Sequence, residues 1–470
     1  MKRLPSTKLI SWVAGTAATL FYLSFHSTFY NFDGVACAIA VELADYAHLA
    51  HGNHLAYGII ARFFFRLWQI LGYRGPALLT LQALDSILGG IGIGLFCGIL
   101  LNLQIPRFIA AAAAAAMGLS LAYWFWSLEA QVYMLGVVFI LLALNEALKA
   151  KPQPLRLGIW HALAILGHAG HVMFLPVAIY RSKFRPYAFA AAATLAGAYG
   201  AAALFCVQPR SLEDWRIWLL GSAALTTDRS FQWHGQHWQE SLNSWAFMTL
   251  HIFSDSYALS LSALMVAAYA AWTLRRGNRQ SVVLIALLWL GSYAALFAFW
   301  EPYTIVYRIS DLIAFWLLIA LAAERAPKVM PAGIAAWAVA AGLYNGFNGI
   351  MPHTDPSRNE PYQEALWIKE QTPPEAWVVA QARGQVYIPY FAHRKPFNVK
   401  YLDRVNEMTE TVYISSRTLT GKRILYQVKR ARKSSGSSQN KLKIAPALKN
   451  GPKAMGSQRL SLPRAIKAAP

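Results

Sequence analysis

Residues 157–180 read LGIWHALAILGHAGHVMFLPVAIY. The run is apolar, yet basic residues flank it on both sides: KAKPQPLR at 149–156 and RSKFRP at 181–186. Lys and Arg concentrate on cytoplasmic loops, so a single crossing would leave one flank on the wrong side. Two half-length helices, broken at GHAGH (167–171), return the chain to the side it came from. Gly167 and Gly170 weaken a continuous helix there. Non-helical backbone at membrane depth must be buried in protein or line a wet cavity. The pattern predicts a short helical hairpin, and the sidedness of the other loops depends on it.

Of 470 residues 56% are hydrophobic and only 14% charged, with 17 Trp, and 43 basic residues face 22 acidic ones. A soluble domain of this length needs more charge on its surface. Apolar runs near the bilayer-crossing length recur at 85–103, 107–123, 131–149, 187–206, 255–274, 281–299, 308–324 and 331–349. The N-terminal MKRLPSTK is basic and residues 9–25 are apolar. No A-x-A-like cleavage site follows, so this reads as an uncleaved anchor with its N-terminus inside. The basic loops at 104–107, 149–156, 181–186, 274–280 and 324–328 then all fall inside. Residues 27–84, 124–130, 207–254, 300–307 and everything after 350 fall outside. Residues 54–73, HLAYGIIARFFFRLWQILGY, carry Arg62 and Arg66 and read as a helix lying in the interface.

The expected fold is an all-α polytopic membrane protein of about nine to eleven transmembrane helices, including the hairpin, with a small extracytoplasmic α/β C-terminal region. Residues 1–350 form the transmembrane domain, with 27–84 its external first loop. Residues 351–420 form the small domain: PYQEALWIKEQ has helical spacing, while AWVVAQ and QVYIPYF read as strands. Residues 421–470 carry thirteen Lys and Arg and no Asp or Glu, and read as a disordered tail. Such a tail suits anionic lipid head groups or glycan; nothing points to nucleic acid. Cys37, Cys97 and Cys206 stand apart within apolar stretches, which argues against a disulfide framework or a metal cluster.

Polar groups gather on the predicted outer face. Asp33, Glu129, Glu301 and Arg308 sit at outer ends of spans, and His168 and His171 lie in GHAGH. The segment YNFDGVACAIAVELADYAHLAHGNHLAYG (30–58) adds Glu42, Asp45, His48, His51 and His54. Each alone is compatible with hydration at the interface. Together they mark a site, because ionisable groups in membrane domains tend to line pathways and binding sites.

The order of these elements resembles the GT-C superfamily of membrane glycosyltransferases that use polyprenyl-phosphate sugars, in the style of bacterial protein O-mannosyltransferase-like members. The elements are Asp33 in NFDG, His54 in NHLAY, Trp126 and Glu129 in WSLEAQVYML, GHAGH, FWEPYTIVYR (299–308) and EALWIKEQTPPEAWVVA (364–380). The likeness covers roughly residues 1–400. It departs from the family in two places: the first loop has no DxD-like acidic pair, and HGNHLAYG stands where relatives carry His-Pro-Pro.

The resemblance implies an inverting-type glycosyltransferase of the bacterial inner membrane. It would move a sugar from a polyprenyl-phosphate donor to a glycan, lipid or protein acceptor of the cell envelope. Such transfer needs a base for the acceptor hydroxyl and cations or donors for the departing phosphate. By resemblance Asp33 is the base; its alternative is an N-cap for the helix after NFDG. Glu129 orients substrate, or else favours the N-terminus of the next span. His54, His168, His171 and Glu301 are binding candidates. Arg308 is a phosphate partner, or else snorkels toward head groups. Glu42 and Asp45 lie on one exposed face. The cofactor is unknown, and a divalent metal stays open. Two other classes remain: a flippase or transporter of lipid-linked glycan, kept in view by Asp85 and Asp311 near span starts, and a non-catalytic membrane subunit, which would tolerate loss of Asp33.

Overall fold

The computed structural model describes residues 5–224, 237–276, 278–325, 329–380, 384–398, 411–417, 423–429 and 443–446. The chain divides into two compact units, Met1–Asp355 and Pro356–Pro470. In the first, apolar runs become helices: α1 Pro5–Leu23, α2 Phe32–Leu43, α3 Tyr46–Leu49, α4 Leu55–Ile70, α5 Ala77–Asn102, α6 Arg107–Leu119, α7 Leu121–Leu128 and α8 Tyr133–Ala147. There follow α9 Pro154–Gly167, α10 Leu175–Arg181, α11 Phe184–Ala202, α12 Leu212–Ala224, α13 Trp238–His251, α14 Tyr257–Leu274, α15 Gln280–Phe297, α16 Asp311–Arg325 and α17 Met330–Asn345. Helices α5 and α16 are mostly buried and form the centre; α11, α14 and α15 turn most of their surface outward.

Among the described residues, five helical segments are long and apolar enough to cross a bilayer, or six if the bent α6–α7 pair counts as one. Fewer segments pass this length test than the nine to eleven helices expected to cross, because several apolar helices are short or bent. Helices α8 and α9 are apolar but short. At ~1.5 Å per residue, the 14 residues of α9 reach only ~21 Å of the ~30 Å hydrocarbon core. The span expected at 107–123 bends by 64° between α6 and α7. Its freed backbone groups find partners in the protein, as they must away from water. Leu121 and Ala122 N–H donate to Phe253 and Ile252 carbonyls (2.9 and 3.0 Å), and Asn345 Nδ2 donates to Leu119 O (2.9 Å).

Segment 157–180 folds as the expected hairpin. Helix α9 stops at Gly167, a 3₁₀ turn covers Ala169–Phe174, and α10 runs back. The two ends meet: Arg181 Nε and Nη2 donate to the carbonyls of Ala147 (2.7 Å) and Lys149 (2.8 Å). At the tip, Ala169 N–H donates to Asn53 O of the first loop at 2.7 Å. Helix α8 approaches so closely that a Cβ on Gly167 would lie 2.7 Å from Gly136 Cα. The three cysteines are free.

The second unit holds α18 Glu360–Gln371, α19 Gly384–Tyr387 and a five-stranded sheet of order β2-β1-β3-β4-β5. The strands are β1 Trp377–Ala380, β2 Lys395–Asn398, β3 Val412–Arg417, β4 Arg423–Lys429 and β5 Lys443–Pro446. Strand β1 pairs in parallel with β2 and β3, while β3–β4 and β4–β5 are antiparallel. QVYIPYF is helical and not a strand. Pro389 withholds a ladder N–H, and Tyr387 meets Phe391 one turn on, ring centroids 5.5 Å apart. Strands β4 and β5 lie within 421–470, which composition alone reads as disordered. β4, RILYQVK, has the branched and aromatic residues that suit a pleated surface. The remainder of that stretch lies outside the described residues.

Candidate functional site

The site begins at Asn31. Its Oδ1 accepts the N–H of Asp33 at 2.9 Å, so Asn31 caps α2 and Asp33 occupies the second helical position. The cap role the sequence offered for Asp33 therefore belongs to its neighbour two residues back. Gly34 lets α2 lie against the segment after α7: a Cβ there would fall 2.3 Å from Ala130 O. This close approach brings in Gln131, which hydrogen-bonds the Asp33 carboxylate. Gln131 Nε2 also donates to Asn31 Oδ1 (2.5 Å), and its N–H donates to Asp85 Oδ2 (2.9 Å). Tyr57 OH donates to the same Asp85 oxygen at 2.6 Å. Asp85, inside α5, thus braces the Gln131 segment.

The opposite wall is built by the first loop and the hairpin tip. Asp45 accepts from the N–H of His48 (3.3 Å) and contacts His48 Nδ1 through Oδ2 (2.7 Å). His51 and His54 stack with ring centroids 4.2 Å apart and 8° between planes. His168 ends α9 and packs between Tyr133 (4.9 Å) and Tyr307 (5.6 Å). Tyr307 in turn stacks on Phe297 at 5.3 Å.

Between these walls lies a cavity of about 520 Å³, a size that suits a small-molecule headgroup. Asp33, His54 and His168 line it, so the structure joins three sequence candidates separated by up to 135 positions. His48, His51, Gln131, Tyr133, Trp300 and Tyr307 line it as well. Sequence reasoning counted His48 and His51 among the ionisable groups of the first loop without giving either a role, and singled out none of the other four. Gln131, Tyr133, Trp300 and Tyr307 stand inside the quoted motifs, but only packing shows which way they face.

The other candidates lie elsewhere. His171 sits deeper, its Nδ1 2.7 Å from Tyr293 OH. Glu129 is buried and receives the Ser27 hydroxyl and the Asn31 N–H, tying 27–31 to α7. It closes α7 and does not open α8, which starts at Tyr133. Glu301 is buried in a left-handed turn (φ 49°) with Thr304 Oγ1 on its Oε2 at 3.1 Å. Arg308 is only 2% exposed and does not face the cavity. It pairs with Asp311 one turn later, donates to Thr249 Oγ1 (2.8 Å) and lies 4.8 Å over the Trp245 ring. Its hydrogen bonds are committed inside the bundle, so neither the phosphate role nor snorkelling fits it. Among the described residues no three His, Cys, Asp or Glu converge as a metal set.

Asp33 opens on the cavity but is surrounded by protein, and this desolvation raises its pKa; the Gln131 hydrogen bond opposes the rise. Burial pushes Glu129 up to about 7, against the pull of Ser27 and Asn31. Among the described residues Asp33 is the one carboxylate lining the cavity.

No family model and no curated protein matches the chain. Solved structures do. "ArnT from Cupriavidus metallidurans bound to Undecaprenyl phosphate" superposes with TM-score 0.61 over 94% of this chain and 99% of that one, at 11% identity. This is the ArnT fold. The same protein in the apo state gives TM-score 0.58 over 87% of this chain and 93% of its own, at 12% identity. The ArnT likeness covers most of both chains. At this identity ArnT supplies the fold, while the chemistry has to be argued from the side chains of the cavity.

Proposed function

We propose that this protein is a polyprenyl-phosphate-dependent glycosyltransferase working at the outer face of a bacterial inner membrane. The observation that carries the reading is the placement of Asp33 as the carboxylate on a 520 Å³ cavity whose other polar groups are largely histidines and tyrosines. The ArnT-like fold supports a lipid-phosphate donor, since one ArnT structure is bound to undecaprenyl phosphate.

In this reading the donor's prenyl chain lies among the helices and its sugar enters the cavity. Tyr133, Tyr307 and Trp300 offer aromatic faces to the apolar face of the sugar ring. An acceptor hydroxyl attacks the anomeric carbon from the side opposite the phosphate. The new C–O bond forms as the bond to the phosphate oxygen breaks, Asp33 takes the hydroxyl proton, and the polyprenyl phosphate leaves with the electron pair. That displacement inverts the anomeric centre. The raised pKa of Asp33 makes it a better proton acceptor than an ordinary aspartate. The N-terminus is cytoplasmic, and the chain after residue 350 is extracytoplasmic. The basic tail meets anionic head groups or glycan.

A transporter reading would draw on Asp85 and the Arg308–Asp311 pair. Arg308 and Asp311 neutralise each other, however, and Asp85 is bonded to Tyr57 and Gln131, as structural braces are. Mass spectrometry of cell-envelope glycans tests the proposal in cells carrying the gene, lacking it, or carrying Asp33→Asn. One sugar addition should disappear in the last two. A complete glycan in Asp33→Asn cells would refute the enzymatic reading.

A further inference from the structure

A cavity built for a phosphate would be expected to offer Arg or Lys. Among the described residues neither lines this one; its basic side chains are His48, His51, His54 and His168. His48 is engaged by Asp45, and His168 Nδ1 accepts from Gly170 N–H at 3.2 Å. The stacked pair is different. His51 Nδ1 accepts the N–H of Asn53 (3.2 Å), which puts the proton of the neutral ring on Nε2 as a donor. His54 Nδ1 is buried with no hydrogen-bond partner among the described residues. Although His54 stands at the N-cap of α4, its side chain makes no cap bond.

Two parallel imidazoles 4.2 Å apart cannot both be charged without strong like-charge repulsion. Burial, and then His48, hold His51 below the usual histidine range; burial, then His51 and His168, do the same for His54. By itself the pair is therefore neutral near pH 7. Other titratable groups share its surroundings: Asp33 and Cys37 from α2, Tyr133 from α8 and Tyr307 line the cavity, and Tyr199 from α11 donates its hydroxyl to Gly52 O. None of these places a permanent positive charge beside the pair.

We propose that the His51–His54 stack is the phosphate-binding element of the cavity and that an entering phosphate group brings in one proton, carried by His54. The assignment of that phosphate to a prenyl lipid rests on the glycosyltransferase reading; the proton linkage does not. An anion at the ring edges favours the imidazolium and gains a charge-assisted hydrogen bond from it. His51 contributes its Nε2–H while staying neutral, so one charge serves both rings. Binding then tightens as pH falls between the pKa of His54 with phosphate bound and its pKa without phosphate, by at most about tenfold per pH unit for one proton. A Lys or Arg site would show no such dependence near neutrality.

The test is titration calorimetry of the full chain in detergent at about pH 7, in two buffers of different ionisation heat, with farnesyl phosphate and, separately, inorganic phosphate. The phosphate's own ionisation (pKa₂ about 6) cancels between wild type and variant. Wild type should take up about one proton more per phosphate than His54→Gln, and the variant should bind roughly tenfold more weakly. His51→Asn should weaken binding but keep the uptake. Uptake with farnesyl phosphate alone identifies a lipid headgroup site, and uptake with both ligands identifies recognition of phosphate itself; either supports the proposal. Farnesyl phosphate binding with equal uptake in wild type and folded His54→Gln overturns the inference and leaves the glycosyltransferase reading intact. Failure of wild type to bind farnesyl phosphate overturns both. If His54→Gln does not fold, the wild-type pH series decides: affinity that does not rise from about pH 8 to about pH 6 overturns the linkage.

Discussion

Asp33 and Glu129 are carboxylates in adjoining segments with opposite prospects. Asp33 faces the cavity and leaves capping to Asn31, so Asp33→Asn should fold normally, losing at most a helix-dipole contribution of about 0.3–1 kcal/mol. Glu129 is a buried brace. With its pKa raised from 4.5 to about 7, the folded state keeps a proton that the unfolded chain has lost. Stability should therefore fall as pH rises from about 4.5 to about 7 and then level off, a cost on the order of 3 kcal/mol. Thermal unfolding of Glu129→Gln should lose most of that slope and keep the Ser27 and Asn31 contacts; an unchanged slope would locate the titration elsewhere. Arg308→Ala should destabilise by roughly 3–5 kcal/mol by stranding Asp311, and the double change with Asp311→Ala should recover part of it. Sequence reasoning gave Arg308 other roles, and its pairing with Asp311, three residues on, came only with the structure. So did the His51–His54 stack, since nothing in HGNH says that the two rings lie face to face.

At the scale of the element, the hairpin is the part most legible in the sequence and the bent α6–α7 span the least. Two glycines and basic flanks locate the break at GHAGH. By contrast, the bend at Ser120 lies in an unbroken apolar run and is fixed by distant partners, Asn345 and the 252–253 backbone. The same limit applies to β4 and β5, whose basic residues mask strand-forming neighbours. The hairpin's close packing gives a paired test. Gly167→Ala pushes a Cβ to 2.7 Å from Gly136 Cα and should lower the melting temperature and displace His168. Gly197→Ala, inside α11 with nothing within 4 Å, should be neutral or stabilise by up to about 1 kcal/mol. Equal effects in the two variants would mean that the α8–α9 contact does not position the tip.

For the whole molecule, the fold places the hairpin tip, the first loop and the Asp33 segment around one cavity, while Arg181 and Lys149 mark the other end of the hairpin. In a cysteine-free background, Tyr46→Cys should react with an impermeant thiol reagent from outside, and Lys151→Cys only after permeabilisation; the reverse pattern would invert the proposed topology. Charge bias groups the loops into the two faces that this labelling tests, whereas the facing of side chains around the cavity came only with tertiary packing. Transfer from a lipid phosphate with Asp33 as base is tested most directly by the release of free polyprenyl phosphate from purified wild-type and Asp33→Asn protein supplied with polyprenyl-phosphate-linked sugars and an envelope glycan extract. Wild type should release it, and Asp33→Asn should lose roughly 100- to 10,000-fold at unchanged melting temperature. Equal release by the two proteins would contradict that role for Asp33.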